Sequence, residues 1–425
     1  MSERVFQKDV LPNGLRVLTA PMPQAKSVAC FVMLAAGSRY ETRESSGIAH
    51  FAEHMFFKGT ENRPTAKDIA GEIDSIGGEF NAFTGKEYTG YYVKCAAEHR
   101  DVALDVLVDM LRNSKFEAEE IEREKGVIIE EMNMYFDTPR DYLEGVYDEL
   151  LYGDQPLGWD IIGTKNTIRG AMRETFTGYL DRWYRSSRMV AGVAGAVGHD
   201  VLPRLQELLG DVRDGSTGDP DPVAWEQERA QVKVFTKQSD QAHVRLGVHS
   251  YPIDHPDRYA LSVLATVLGG GMSSRLFSEV RERRGLAYYI YGYNQGYTDA
   301  GTLFAQGGVD IKRIDEAIQT VVAEFARIAS EPVSDDELSK AKSFSKGRLV
   351  LSLEDPRGTI MFGLRSEVLE GRVREPDDVL AGIEAVTVED VQRVGQDVIR
   401  ENRLNLAVIG PFDDAERFEK LLAFS

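Results

Sequence analysis

The sequence contains few cysteines and no long hydrophobic segment. Its only cysteines, Cys30 and Cys95, stand in apolar surroundings, so we expect buried thiols in a reducing compartment and no cysteine metal site. No run of about 18 apolar residues occurs, and we therefore expect no transmembrane helix and no membrane partner. The N-terminal stretch MSERVFQKDVLPNGLRV lacks an apolar signal core and carries acids. We expect neither a secretory signal nor a transit peptide, and a cytoplasmic protein.

An excess of basic residues is also missing. Lysine and arginine number 50 against 69 aspartates and glutamates, which gives a net charge of −19 at pH 7. Because binding to phosphate groups needs a basic surface, we expect no nucleic-acid partner. The acidic charge would suit basic substrates if it lines a cavity, although solubility alone also accounts for it.

The length of the chain predicts more than one domain. A chain of 425 residues with 42% hydrophobic residues is expected to form two or more cores. Near its middle, residues 210–230 read GDVRDGSTGDPDPVAWEQERA, which is rich in glycine, proline and acids and has no apolar periodicity. We predict an N-terminal domain over residues 1–212, a linker over 213–230 and a C-terminal domain over 231–425.

The two halves resemble each other weakly but in the same order. ETFTGYLDRWYRSSRMVAGVAGAVG and EDVQRVGQDVIRENRLNLAVIGPF each predict a helix, a basic turn and an apolar strand that ends in glycine. Each half also begins with a strand and an apolar helix, followed by strands rich in Tyr, Phe, Thr and Val and by long amphipathic helices. The sequence therefore predicts an α+β protein of two similar domains, each a mainly antiparallel sheet packed with helices. One constant offset aligns Arg185, Arg188 and Gly195 with Arg400, Arg403 and Gly410.

Three polar side chains interrupt the apolar helix predicted over GIAHFAEHMFF. At the approximately corresponding place in the second half, YALSVLATVL contains only apolar residues at these positions, so packing alone does not require the polar ones. The aligned pairs are His50 with Leu261, Glu53 with Leu264, and His54 with Ala265.

The spacing of these residues is typical of a zinc site. On a helix, His50 and His54 lie one turn apart on the same face, and Glu53 lies between them in angle. Two imidazoles at this spacing can bind one zinc ion and leave the carboxylate free beside it, and H-x-x-E-H occurs among zinc peptidases. The alternative is a chance cluster of packed histidines, which is disfavoured because the chain has only 7 histidines.

A third zinc ligand is expected from the helix predicted over residues 119–136, EEIEREKGVIIEEMNMYF, since catalytic zinc sites usually use three protein ligands and a water. Glu131 lies on its apolar face, where an acid needs a strong partner such as a metal ion, whereas Glu130 lies on a more exposed side. Glu124, two turns before Glu131, could hydrogen-bond a ligand histidine. The neighbours that define the apolar face are Val127, Ile128, Met134 and Tyr135; the acids that fit a solvated face are Glu119, Glu120, Glu122 and Glu130.

The succession of HFAEH and EKGVIIEEM resembles the pitrilysin-type zinc peptidases, or inverzincins, over essentially the whole chain. The length and the two-domain plan are similar to the branch of short chains that includes the mitochondrial processing peptidases. The resemblance implies a zinc metalloendopeptidase, with Zn²⁺ held by His50, His54 and Glu131, Glu53 as the general base and Glu124 as an assisting acid. It also implies two domains that face each other as a clamshell and open and close during turnover, with the linker as the hinge.

The resemblance also implies a substrate-stabilising pair in the second half. The family uses an arginine and a tyrosine seven residues apart, and Arg281 and Tyr288 match this spacing, which implies that they stabilise the oxyanion. Without the resemblance, Arg281 is one of several helix charges and Tyr288 an ordinary strand residue. The preceding LGGGMSSRLF contains a glycine run, but the G-K-[ST] ending of a phosphate-binding loop is absent.

The segment NAFTGKEYTGYY is similar to the edge strand with which this family pairs its substrate, and it matches at Asn81, Ala82 and Thr84. Pairing of an extended peptide with a sheet edge recognises the main chain with little sequence selectivity. Without the resemblance, the segment is an ordinary strand.

Relatives of this length form dimers that enclose a chamber. Because one chain carries both the metal motif and the Arg–Tyr pair, we expect a homodimer that admits peptides and unfolded segments. One alternative is a catalytically silent relative or the partner subunit of a processing-peptidase-like heterodimer, which would be expected to lack a metal or base residue, and none is missing here. Another is a zinc-dependent peptide-binding protein, which would not need Glu53.

Overall fold

The computed structural model describes residues 4–215 and 218–424, so Ser216 and Thr217 of the predicted linker lie outside the described residues. The described chain forms two compact units. The first unit contains the chain up to Asn133, together with Asp160–Asp221 and Val350–Asp377. The second unit contains Met134–Trp159, Pro222–Leu349 and the chain from Asp378 onward.

The secondary structure combines strands and helices in both units. The strands are β1 (Gln7–Val10), β2 (Arg16–Pro21), β3 (Ser27–Leu34), β4 (Glu79–Thr84), β5 (Thr89–Ala96), β6 (Met189–Gly195), β7 (Gln231–Thr236), β8 (Ala242–His249), β9 (Ala287–Gly296), β10 (Gly301–Val309) and β11 (Asn405–Gly410). The α-helices are α1 (Ile48–Met55), α2 (Ala66–Ser75), α3 (Arg100–Asn113), α4 (Ala118–Asp137), α5 (Pro139–Tyr152), α6 (Lys165–Gly170), α7 (Arg173–Trp183), α8 (Val201–Leu209), α9 (Arg258–Gly269), α10 (Ile314–Ser330), α11 (Asp335–Ser352), α12 (Pro356–Glu370), α13 (Pro376–Glu384), α14 (Val388–Val398) and α15 (Ala415–Glu419). No helix among the described residues is both long enough and apolar enough to span a bilayer.

Both sheets share one topology. The first sheet has the order β1-β2-β6-β3-β5-β4 and the second has the order β7-β11-β8-β10-β9. Apart from the additional β1, the two orders match strand for strand. In each sheet one pair is parallel, β2 with β6 or β11 with β7, and the other pairs are antiparallel. The structure thus confirms the predicted class of two similar α+β units with mainly antiparallel sheets, and the aligned glycines Gly195 and Gly410 end corresponding strands.

The central strands are apolar because both sheet faces are covered. In β3, Val28, Cys30 and Val32 contribute to one core, while Phe31 and Met33 contribute to another core on the opposite face. A strand buried on both sides reads as a nearly continuous apolar run, which is what SVACFVML shows. The predicted buried positions of Cys30 and Cys95 are also confirmed.

Each unit contains one helix from the other half of the chain. Helix α12 packs against β2, β3 and β6 of the first sheet, through Ile360 and Leu364. Helix α5 packs against β7, β8 and β11 of the second sheet. Gly247 allows this close packing, since a Cβ there would lie 2.4 Å from the Tyr147 hydroxyl. The compact units therefore differ from the two sequence halves by a reciprocal exchange of equivalent helices.

The predicted linker is held by contacts on both sides of the boundary between the two units. Before the boundary between Asp221 and Pro222, the Asp221 carbonyl accepts a hydrogen bond from Arg39 within the first unit. After the boundary, Trp225 stacks on His249 with ring centroids 4.0 Å apart within the second unit. Because the chain passes between the units at five points in all, this segment is one of five connections.

Candidate metal centre

Helix α1 is built to present three polar residues on one side. Its buried face consists of apolar residues of the first core, whereas His50, Glu53 and His54 are only partly buried. The helix begins after Gly47, whose φ of +94° is readily available only to glycine, and a Cβ there would lie 2.6 Å from the Ile162 carbonyl oxygen. The apolar side chains on the buried face are Ile48, Ala49, Phe51, Ala52 and Met55.

The buried Glu41 holds the N-terminus of α1. Its two carboxylate oxygens accept hydrogen bonds from the backbone N–H groups of Gly47, over 2.8 Å, and Ala49, over 2.7 Å. A helix N-terminus has free N–H groups, and the side-chain oxygens of Glu41 satisfy two of them. Sequence reasoning missed Glu41 because it stands six residues before Gly47, outside the usual capping spacings.

Helix α4 supplies the acidic side of the site. Glu124 lies on its buried stripe, and Glu131 is half-buried while Glu130 is exposed. The prediction of an apolar face around Glu131 was correct for Ile128 alone. Contrary to that prediction, Val127, Met134 and Tyr135 are exposed, because the stripe that packs on the core runs through Ile121, Glu124, Lys125, Ile128 and Met132.

The structure brings His50, His54 and Glu131 together. The Nε2 atoms of His50 and His54 lie 3.7 Å and 3.5 Å from Glu131 Oε2. Among the described residues, these three form the one group of histidine, cysteine or acidic side chains able to hold a metal ion, with ligand atoms within 4.8 Å of one another. The corresponding helix α9 buries Leu261, Leu264 and Ala265, as the internal alignment predicted.

These donor atoms fit a zinc ion. Zinc bonds to imidazole nitrogen and carboxylate oxygen are about 2.0–2.2 Å long, and tetrahedral geometry then separates neighbouring ligand atoms by about 3.3–3.5 Å. The distances from the imidazole Nε2 atoms to Glu131 Oε2, 3.5 Å and 3.7 Å, are close to this separation. Burial, followed by the effect of His54, lowers the pKa of His50 to about 3, so its imidazole is neutral at physiological pH, as a metal ligand must be.

Glu124 orients one of the two histidines. Its Oε1 lies 2.9 Å from His54 Nδ1, which leaves His54 Nε2 to face the metal position. This arrangement is the common carboxylate–histidine support of a metal ligand. Burial by itself raises the pKa of Glu124, but hydrogen bonds from His54 and Lys58 outweigh it, so the pKa lies below its ordinary value. The contact between Lys58 and Glu124 was not predicted from the sequence.

Glu53 lies beside the metal position without being one of its ligands. Its Oε2 accepts a hydrogen bond from the Thr84 hydroxyl over 2.5 Å. Burial raises the pKa of Glu53 above its ordinary value, and this hydrogen bond and His54 offset only part of the increase. A carboxylate with a raised pKa is suited to accepting and returning a proton near neutral pH.

The segment predicted to pair with substrate is an edge strand. Among the described residues, β4 pairs only with β5 and forms the outer edge of the first sheet. Asn81 is exposed on this strand, and its side-chain oxygen accepts a hydrogen bond from the Ala82 backbone N–H over 2.8 Å. The hydroxyl of Thr84 is directed to Glu53. The role of these three residues in substrate binding stays a prediction.

Arg281 and Tyr288 are neighbours in the second unit. Arg281 belongs to a π-helix over Phe277–Arg283, and Tyr288 is in β9. The Arg281 guanidinium carbon lies 5.5 Å from the centre of the Tyr288 ring, and 75% of the Tyr288 surface is exposed. The structure therefore brings this pair together, while its role toward substrate stays a prediction.

The chain is similar along nearly its whole length to proteins named as zinc proteases. A family model described as "Insulinase (Peptidase family M16)" matches residues 16–165, and one described as "Peptidase M16 inactive domain" matches residues 171–344. The uncharacterized zinc protease YmxG of Bacillus subtilis is 37% identical, over 94% of this chain and 97% of the relative. An uncharacterized zinc protease of Streptomyces coelicolor is 36% identical, over 96% of this chain and 90% of the relative.

A solved structure shares the fold. The crystal structure of a protease from Helicobacter pylori superimposes with a TM-score of 0.89 and 22% identity, covering 96% of this chain and all of that one. Placement within the processing-peptidase branch stays a prediction. With a metal-ligand group in the first unit and family matches along both halves, the chain belongs to the insulinase-type peptidase family M16.

Proposed function

We propose that this protein is a zinc metalloendopeptidase that cleaves peptides or unfolded segments. The observation that carries the proposal is the convergence of His50, His54 and Glu131 with the free carboxylate of Glu53 beside them. A site that only stored zinc or stabilised the fold would not need an additional carboxylate that does not bind the metal.

His50, His54 and Glu131 would hold the ion, and Glu124 would keep His54 in the tautomer that binds through Nε2. Zinc bound here would lower the pKa of a water molecule and polarise the scissile carbonyl. Glu53 would accept the proton from that attacking water and return it to the leaving amine. Its raised pKa favours both transfers near neutral pH.

The edge strand β4 would hold the substrate main chain. A peptide added to this edge could pair with backbone groups near Asn81 and Ala82, which would recognise extended segments with little regard to side chains. Folded proteins offer few free extended segments, so they would be poorer substrates than unfolded ones. The net charge of −19 favours basic peptides among those that can bind.

Arg281 and Tyr288 are proposed to stabilise the oxygen that becomes negative during peptide hydrolysis. An arginine always carries its charge, and an exposed tyrosine hydroxyl can donate a hydrogen bond. Their mutual contact supports the idea that they act as a pair.

Cleavage of quenched fluorescent peptides tests the proposal. We expect wild-type activity that chelator abolishes and added Zn²⁺ restores. Glu53→Gln keeps the size of the side chain but cannot accept a proton, so it should bind zinc normally and lose at least about 100-fold in kcat.

Three results would contradict the proposal. Activity that resists chelator would show that the metal is not required. A Glu53→Gln variant as active as wild type would remove the proposed base, and peptide binding without cleavage by the wild type would favour a binding protein instead.

A further inference from the structure

Lys58 and His54 contact the two oxygens of the same carboxylate. Lys58 Nζ lies 2.6 Å from Glu124 Oε2, and His54 Nδ1 lies 2.9 Å from Glu124 Oε1. One oxygen is therefore used by the cation and the other by the proposed zinc ligand. Lys58 is therefore linked, through Glu124, to the orientation of the His54 imidazole.

Because Glu124 is buried, the stability of its charge depends on the contact with Lys58. Only 5% of the Glu124 side chain is exposed, so water contributes little to the stability of its charge. A buried carboxylate needs compensating partners. Lys58 provides a full positive charge, whereas His54 can provide one N–H donor through Nδ1. Without Lys58, the buried Glu124 carboxylate would lose one of its two side-chain partners and keep only His54.

The backbone around Lys58 is fixed, so its side chain approaches Glu124 from a defined position. Its N–H donates a hydrogen bond to the Met55 carbonyl over 3.1 Å, in a turn that follows α1. Two residues later, the Thr60 hydroxyl donates a hydrogen bond to the buried Asp109 over 2.6 Å. Because this backbone is already ordered, the contact with Glu124 costs only the rotamer freedom of the Lys58 side chain.

We propose that Lys58 is a positioning residue that fixes Glu124 against His54 and thereby strengthens zinc binding. The inference rests on the proposed zinc site. With Glu124 held, His54 donates its Nδ1 proton to Oε1 and keeps its Nε2 lone pair toward the metal position. Lys58 itself is not one of the three residues proposed to hold the metal.

A different role is possible for a lysine at this place. A cation after the end of a helix interacts favourably with the helix dipole and can serve packing alone. In that case its loss would lower the thermal stability of the metal-free protein and leave the zinc dissociation constant unchanged. The two roles are separated by measuring zinc affinity and stability on the same variants.

The experiment is a chelator-competition titration of Zn²⁺ on the full-length protein. We expect Lys58→Met to weaken zinc binding about tenfold, the lower end of the range known for residues that support metal ligands, and Lys58→Arg to recover most of the loss. In a Glu124→Gln background, Lys58→Met should cause no further loss, since the lysine acts only through that carboxylate.

Lys125→Met is the matched control. Lys125 is a largely buried lysine on α4 that pairs with Glu122 over 2.5 Å, so its replacement removes the same charge near the site without touching Glu124. Its zinc affinity should stay within about twofold of wild type. If Lys58→Met impairs folding, Lys58→Gln, which keeps a hydrogen-bond donor, is measured in the same way.

Three results would overturn the inference: a zinc affinity of Lys58→Met equal to that of wild type, an equal further loss in the Glu124→Gln background, or the same loss in Lys125→Met. Failure of wild-type protein to bind Zn²⁺ at all would instead overturn the metal site and the proposed function together.

Discussion

The Thr84 hydroxyl donates a hydrogen bond to Glu53 Oε2 over 2.5 Å. A residue of the edge strand β4 thus contacts the carboxylate proposed as the general base. A substrate that adds to this strand would therefore bind beside a base that the same strand helps to orient. The family resemblance implies substrate binding for Thr84, which stays a prediction, and the structure adds a contact with Glu53.

Replacement of Thr84 tests this contact. Thr84→Val keeps the shape but removes the hydroxyl, so we expect kcat to fall on the order of tenfold while KM and zinc affinity stay nearly unchanged. Thr84→Ser keeps the donor and should retain most of the activity. A large increase in KM with kcat unchanged would assign Thr84 to substrate binding instead.

The two adjacent acids of α4 provide a matched pair of variants. Glu131→Gln removes one of three proposed ligands, so zinc affinity should fall by more than about 100-fold, beyond the loss expected for supporting residues. Glu130→Gln alters an exposed neighbour and should leave zinc content and activity unchanged. Metal analysis after dialysis distinguishes them, and equal zinc content in both variants would be incompatible with Glu131 as a ligand.

The Arg281–Tyr288 pair can be tested independently of the metal. Arg281→Met or Tyr288→Phe should lower kcat by about 10²- to 10³-fold, the usual cost of removing an oxyanion donor, with zinc content unchanged. Arg283→Met is the control, because Arg283 is exposed and pairs with Glu279. Full activity in both Arg281→Met and Tyr288→Phe would exclude the proposed role.

Glu41 should make stability depend on pH. Burial raises its pKa from the ordinary 4.5 to about 8, although hydrogen bonds from Ala49 and Gly47 oppose this. Because the folded pKa lies above the unfolded one, the folded state binds the proton more tightly. The resulting stability is fully present below about pH 4.5 and is lost as the pH rises through about 8.

Glu41→Gln does not titrate and serves as the reference. Relative to that of Glu41→Gln, the unfolding free energy of the wild type should fall as the pH rises from about 5 to about 8. Urea unfolding of the metal-free proteins at several pH values measures this difference. A difference that is independent of pH would show that Glu41 is ionised in both states.

The local sequence pattern was sufficient to predict the helix that carries His50, Glu53 and His54. His50, Glu53 and His54 are close in sequence, and the α-helix alone fixes their angular relation. The internal repeat likewise predicted two similar sheets, because each half carries its own strands in the same order. The structure places Glu131 beside His50 and His54, as predicted, although three of the four neighbours on which that prediction was based are exposed.

Tertiary structure decided the contacts between distant segments. Periodicity shows that α5 and α12 have apolar faces, but it does not show which sheet covers them, and each packs on the sheet of the other half. Sequence spacing likewise does not show that Lys58 contacts Glu124, that Thr84 contacts Glu53 or that Glu41 contacts the start of α1.

The amino-acid sequence by itself determined the zinc motif, the fold class and the duplication, because these depend on spacing within single elements and on order along the chain. Only the tertiary structure decided which carboxylate supports which histidine, what orients Glu53 and how the helices are exchanged. These depend on distances between residues far apart in the chain, which close packing fixes and local periodicity does not record.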